Sequence, residues 1–171
     1  MLRVKRGVLL LILLATLSSA ADVKCYCSSN FPKPCSKPNF LSWYKVGSSC
    51  VKYFSTPMTF AHAESYCRDQ VSGGHLVAID SEATNERISC ITNKNNNHRT
   101  WVGGFHLFKS QKYIWTDGSK WNYSNWAPGE PNNQNNKEDC IEINYNGPGK
   151  WNDHNCNSKM PFICAFKSSE N

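Results

Sequence analysis

Glu130-Pro131-Asn132, then Glu138-Asp139-Cys140, then Trp151-Asn152-Asp153 and Cys156, make a carboxylate-and-amide set bracketed by two cysteines. Hard oxygen donors collected in one loop and the strand after it suit Ca²⁺, with its roughly six to eight oxygen ligands, better than any transition metal. Glu130, Asn132, Glu138, Asn152 and Asp153 are the candidate ligands. Three carboxylates against a divalent cation leave such a site near charge balance. The two amides can each turn an oxygen to the metal and an N–H₂ to something beyond it, a capability that points to a bound ligand.

Outside this region, residues 1–21 join a basic head (Arg3, Lys5, Arg6) to the apolar run Val8–Ala15 and end in Ser18, Ser19, Ala20 and Ala21. This reads as a secretory signal peptide, its apolar run too short to span a bilayer. No later segment approaches membrane length, so no membrane insertion is expected. Cleavage leaves 150 residues, enough for one domain with a single core. It also removes three of the 19 basic residues, leaving 16 against 13 acidic ones. A net charge of +3 gives no argument for a nucleic-acid partner.

The nine cysteines all lie beyond the leader, and export would place them where bridges persist. Because the count is odd, at least one is free or joined to another chain. Cys25-Tyr26-Cys27 does not read as zinc-binding, since its spacing is too short and no matching second pair follows.

Residues 22–34 mix prolines, serines and lysines with Cys25 and Cys27 and little periodicity, an irregular amino-terminal arm. Trp43–Val46 and Val51–Phe54 flank Gly47-Ser48-Ser49 as a hairpin. Thr59 caps a helix over Phe60–Cys67 that presents Phe60, Ala63 and Cys67 on one face; Ser81 caps a second, to about Thr92, with Ala83, Ile88 and Ile91 inward. Trp101-Val102-Gly103-Gly104 reads as a buried strand with a close backbone approach. Thr116–Asn136 is a long irregular loop of the kind retained for function. Closing strands follow at Cys140–Asn144, Lys150-Trp151 and Pro161–Phe166.

Taken together, Trp101-Val-Gly-Gly, Asn125-Trp126, Glu-Pro-Asn, Glu138-Asp-Cys, Trp-Asn-Asp with Cys156, and Phe162-Ile-Cys164 resemble a C-type lectin domain of the long form. The resemblance covers about Cys35 to Phe166. It implies an α+β fold: two helices, antiparallel sheets and a long irregular calcium- and sugar-binding loop, stapled by disulfides. It divides the chain into the leader, the arm, a lectin domain over 35–167 and a tail over 168–171.

It further implies the bridges Cys35–Cys50, Cys67–Cys164 and Cys140–Cys156, leaving Cys25, Cys27 and Cys90, which admit an extra intrachain bridge to Cys90 or, the reading preferred here, an interchain link in a disulfide-bonded homo-oligomer. Glu130, Asn132, Glu138, Asn152 and Asp153 would hold calcium and hydrogen-bond the sugar hydroxyls that enter its shell, with Pro131 cis. Glu-Pro-Asn goes with the equatorial 3- and 4-hydroxyls of mannose-type sugars, and Gln-Pro-Asp with galactose. Positions that supply an auxiliary calcium site in relatives are here His106, Ser110 and Asn133, leaving mainly Asp139, so one Ca²⁺ is expected.

The implied protein is a secreted lectin for glycans on cell or microbial surfaces, suited to agglutination or innate defence. The alternatives are galactose or calcium-independent binding, or a protein-directed or ice-binding role on the same fold. No enzyme is expected: neither Gly-x-Ser-x-Gly nor His-Glu-x-x-His occurs, and metal ligation would deprive Glu130 and Glu138 of the proton chemistry of a glycosidase pair. Trp43, Trp101, Trp115 and Trp151 are assigned to packing, with Trp121 and Trp126 open. His154 reads as a surface histidine, and Asn122-Tyr123-Ser124 as a candidate glycosylation sequon.

Overall fold

The computed structural model describes residues 27–107 and 112–168. The leader at 1–21, Cys25, Ser110 and residues 169–171 lie outside them. The chain divides into two compact units, 1–31 and 32–171. Of the first, residues 27–30 form one helical turn.

The second unit runs β1 (Tyr44–Val46), β2 (Ser49–Met58), α1 (Phe60–Gln70), β3 (His75–Leu76), α2 (Glu82–Lys94), β4 (Thr100–His106), β5 (Tyr113–Trp115), β6 (Cys140–Ile143), β7 (Trp151–His154) and β8 (Met160–Lys167). The strands join in the order β1-β2-β8-β4-β6-β7, with β3 added on β8 and β5 on β4. Pairing is antiparallel except where β4 meets β8 at Trp101 and Phe162. The hairpin turns at Gly47, whose φ of 56° lies in the left-handed region that glycine enters without steric cost. Part of the expected arm is ordered onto this edge: Pro34 bridges Tyr44, and the Lys45 N–H donates to the Lys33 carbonyl at 2.7 Å.

Both helices start at the expected caps. The Thr59 hydroxyl accepts the N–H of His62, and the Ser81 hydroxyl that of Thr84, satisfying donors that a helix start leaves unpaired. On α1 the buried residues are Phe60, Ala63 and Cys67, the expected face. On α2 Ile88 and Ile91 are buried, but Ala83 is exposed and Asn85 is buried instead. The reason is polar rather than apolar: Asn85 Oδ1 accepts Trp151 Nε1–H at 2.8 Å and its Nδ2 donates to the Gly149 carbonyl at 3.2 Å. A helix turned to meet those groups carries Ala83 outward.

Between β2, β8, β4 and α1 lies an aromatic core in which Phe54 stacks on Phe162 at 5.3 Å and Phe60 meets Trp101 edge-on at 5.7 Å. A second cluster underlies the long loop. Trp115 and Trp151 are fully buried there, Trp121 stacks on Trp115 at 4.6 Å, and Trp126 meets Trp151 edge-on at 5.8 Å. Trp121 and Trp126 thus also pack, half-buried, with edge-to-face partners that add about 0.5–1.5 kcal/mol each beyond area burial.

Gly103 confirms the close approach read from its sequence. A Cβ there would fall 2.6 Å from the Leu76 carbonyl oxygen, in the strand whose following residue, Val77, accepts the Gly103 N–H at 2.8 Å.

The bridges Cys35–Cys50, Cys67–Cys164 and Cys140–Cys156 are present. Among the described residues Cys27 and Cys90 are also disulfide-bonded. Of the two readings of the leftover cysteines, a bridge within the chain and a link between chains, this matches the first for Cys27 and Cys90 and keeps Cys25 as the candidate for the second. No helix among the described residues is long and apolar enough to cross a membrane.

Candidate functional site

The site grows from the β6–β7 hairpin and the loop packed against it. In register, Ile141 faces Asp153 and Glu142 faces Asn152. Trp126 bridges Trp151 beside them, and the Ala127 N–H donates to the Trp151 carbonyl at 2.8 Å, so the loop reaches Glu130 from a fixed point. The Glu130–Pro131 peptide is cis. Asn133, Asn135 and Asn136 hold positive φ, which asparagine tolerates better than other residues with a side chain; the asparagine-rich stretch is thus a conformational requirement of the loop as well as a polar one.

Four of the five candidate ligands converge here. Asp153, fully buried, accepts the Asn132 N–H on Oδ1 at 3.0 Å and the Asn133 N–H on Oδ2 at 2.8 Å. Glu138 Oε2 accepts the Gln134 N–H at 3.0 Å, while the Glu138 N–H donates to Asn133 Oδ1 at 3.1 Å. Asn132 Nδ2 donates to Glu130 Oε1 at 3.0 Å. Asn152 is held differently: its Nδ2 donates to Glu142 Oε1 at 2.7 Å, inside the hairpin.

Electrostatically this is a site short of positive charge. Glu130 Oε2 is buried with no hydrogen-bond partner among the described residues. Asp153 approaches it as a second carboxylate, which can pair with it only by sharing a proton. Burial, then the charges of Asp153 and Glu138, push the Glu130 carboxyl above its ordinary value, against one hydrogen bond from Asn132 that lowers it. The Tyr113 hydroxyl is pushed up by burial and by Asp153, Asp139 and Glu130, so β5 also borders the negative region.

An orphaned buried carboxylate oxygen beside two more acids fits a hard cation. Among the described residues, no three His, Cys, Asp or Glu side chains by themselves make a metal cage. A complete oxygen shell must therefore draw on the amides of Asn132 and Asn152, as the donor set of the sequence requires.

At the auxiliary positions His106 Nδ1 lies 3.2 Å from Asp139 Oδ1, and Asn133 is spent on Asp153 and Glu138. His154 is half-buried rather than a plain surface residue, with Nδ1 3.3 Å from Glu138 Oε1. Sequence reading missed Arg99 and Glu142. The Glu142 carboxylate, fully buried, takes both Arg99 Nε at 2.7 Å and Arg99 Nη2. A signal was present: an acid between Ile141 and Ile143 in a strand read as closing the core needs a cationic partner. Asn122 is exposed on the loop, open to modification.

An α+β unit stapled by Cys35–Cys50, Cys67–Cys164 and Cys140–Cys156, with a hairpin-supported acid-and-amide loop, defines the class of disulfide-stapled lectin-like domains. The lectin C-type domain family model matches residues 56–166. A lectin from Pleurodeles waltl is 39% identical over 137 residues, 79% of this chain and 80% of that protein. The galactose-specific lectin nattectin from Thalassophryne nattereri is 33% identical over 157 residues, 91% of this chain and 92% of its own length. Among solved structures, the C-type lectin CEL-I from Cucumaria echinata superposes with a TM-score of 0.72 at 26% identity, over 79% of this chain and 100% of that one. The chain belongs to the C-type lectin domain family.

Proposed function

We propose that this protein is a secreted, calcium-dependent lectin that recognises mannose-type glycans on cell or microbial surfaces through one Ca²⁺ held by Glu130, Asn132, Glu138, Asn152 and Asp153. The observation that carries the reading is Glu130 Oε2, buried without a partner next to Asp153 and Glu138. When bound, calcium would offer coordination positions to two adjacent hydroxyls of a pyranose. The chain's own part is to orient those hydroxyls: Glu130 and Glu138 accept hydrogen bonds from them, and Asn132 and Asn152 donate from Nδ2. Charge-assisted hydrogen bonds of this kind make a shallow site viable.

One shallow site binds weakly, and several held together bind well. Cys25, left over by four bridges, is the residue proposed to join copies of the chain. The mannose preference rests on the order Glu130, Pro131, Asn132. Nattectin, galactose-specific by name, supports the second reading, galactose as the sugar. A glycan array run with calcium and with chelator tests both. Mannose-type signals that vanish on chelation are expected; galactose signals move the specificity to the second reading, and signals indifferent to chelator overturn the calcium-dependent one.

A further inference from the structure

Arg99 immediately precedes β4, and Glu142 sits across the β4–β6 pair, 43 residues away in sequence. The guanidinium grips the fully buried carboxylate with two nitrogens, lies 5.1 Å over the Tyr145 ring and brings Nη2 within 3.4 Å of His154 Nδ1. Its pKa is raised chiefly by the hydrogen bond to Glu142. An ionised carboxylate accepts only, so the Asn152 atom facing it has to be the N–H₂. The other end of the amide, Oδ1, is the end left over. His154 makes a weaker second branch, because its Nδ1 can either accept from Arg99 or donate to Glu138 and cannot do both.

We propose that Arg99 and Glu142 are positioning residues for the calcium site: Glu142, locked by Arg99, takes one N–H of Asn152 and thereby fixes the amide so that its oxygen is the atom presented to the cation. This rests on the calcium reading above and goes beyond it by giving residues outside the loop a role in metal affinity.

The test is calcium titration by calorimetry, without sugar, on wild type, Glu142→Gln and the double variant Arg99→Met/Glu142→Leu. Glutamine keeps an acceptor for Asn152, so its calcium affinity should stay within roughly 10-fold of wild type. The double variant removes the acceptor and should lose a further ~10–100-fold, the usual cost of losing an outer-shell partner. Replacing both partners by apolar groups leaves no unpaired buried charge. It leaves one Asn152 N–H without its acceptor, so the calcium-free melting temperature of the double variant should fall by no more than roughly 3–10 °C in a single cooperative melt, separating positioning from a general loss of fold.

A folded double variant with wild-type affinity overturns the brace. Wild type that takes up no calcium overturns the reading of the site itself. Should the double variant not fold, hydrogen exchange of the Asn152 side-chain amide in calcium-free wild type decides: protection supports the Glu142 bond, and exchange at the free-amide rate overturns it.

Discussion

Asn132 donates its backbone N–H to Asp153 Oδ1 at 3.0 Å, and the next residue donates to Oδ2 at 2.8 Å. The carboxylate proposed to ligate a cation is thus also the one that fastens the loop to β7. Scaffold and site share one side chain, and they cannot be removed separately by truncating it.

Asp153→Ala should therefore fail twice. It strands two N–H groups, at about 1–3 kcal/mol each where water cannot reach them, and lowers the calcium-free melting temperature. It should also abolish calcium binding. Glu138→Ala strands one such donor, the Gln134 N–H, so its melting temperature should fall less while calcium affinity drops at least ~100-fold, more than an outer-shell loss. Calorimetric titration beside thermal melts checks both. Undiminished binding in the two variants would sink the ligand assignment.

Free sugars should compete in the order that Glu130-Pro131-Asn132 implies, with mannose and N-acetylglucosamine ahead of galactose. Inhibition of binding to an immobilised mannose-type glycan measures it. Better competition by galactose or lactose would show that the tripeptide does not set preference in this chain, and the spent auxiliary position Asn133 would be the first place to look for the reason.

Glu130 has its carboxyl raised above 4.5, by burial first and then by Asp153 and Glu138. A raised folded value means that the calcium-free folded state holds this proton more tightly than the unfolded chain. The resulting stability is complete below about pH 4.5 and is lost as pH rises through the raised value. Calcium competes with the same proton, so the stabilisation it gives should grow with pH across that window. Glu130→Gln should flatten the calcium-free profile. Melts from about pH 4 to 7, with chelator and with calcium, measure both slopes; identical calcium-free profiles for wild type and variant would refute the account.

Much of this architecture was legible because local chemistry announces it. Thr59 and Ser81 stand where helices need oxygen acceptors, Gly47 where a hairpin needs positive φ, and Phe60, Ala63 and Cys67 at helical spacing. His75–Leu76 was not legible, since two residues carry no periodicity; that strand is held instead by Glu64, which accepts the Leu76 N–H on Oε2 at 2.9 Å and meets His75 Nδ1 at 2.7 Å. β5 is only three residues long and adjoins the loop whose aromatic residues mask its pattern. Arg99 and Glu142 escaped notice for a different reason: a pair joined only by sheet register has no mark in a single chain beyond an acid among isoleucines.

Gly103 offers a test of the fold independent of calcium. Alanine there would set a methyl 2.6 Å from the Leu76 carbonyl oxygen and 2.7 Å from Thr116 Oγ1, and the first of these is backbone that cannot step aside cheaply. Overpacking of this kind costs about 1–3 kcal/mol. For a domain of this size the melting temperature should fall by roughly 3–10 °C. An unchanged melt would mean that β3 yields more readily than its hydrogen bond from Gly103 to Val77 implies.

The ninth cysteine is the one suited to joining copies of the chain. Eight cysteines are disulfide-bonded, Cys27 and Cys90 among them, and Cys25 is the ninth. In the secreted protein proposed above, Cys25, within the amino-terminal arm at 22–34, is well placed to join a second copy. Wild type should run as a dimer or larger species on non-reducing electrophoresis and collapse to monomer with reductant, whereas Cys25→Ser should be monomeric under both conditions. Single-site affinity for a monosaccharide should not change in that variant, because Cys25 lies far in sequence from Glu130 and its neighbours. Agglutination should drop steeply, by about 100-fold or more, since avidity is lost with the link. A wild-type monomer carrying one titratable thiol would refute the covalent link, and Cys25→Ser that still agglutinates would place multivalency in non-covalent assembly.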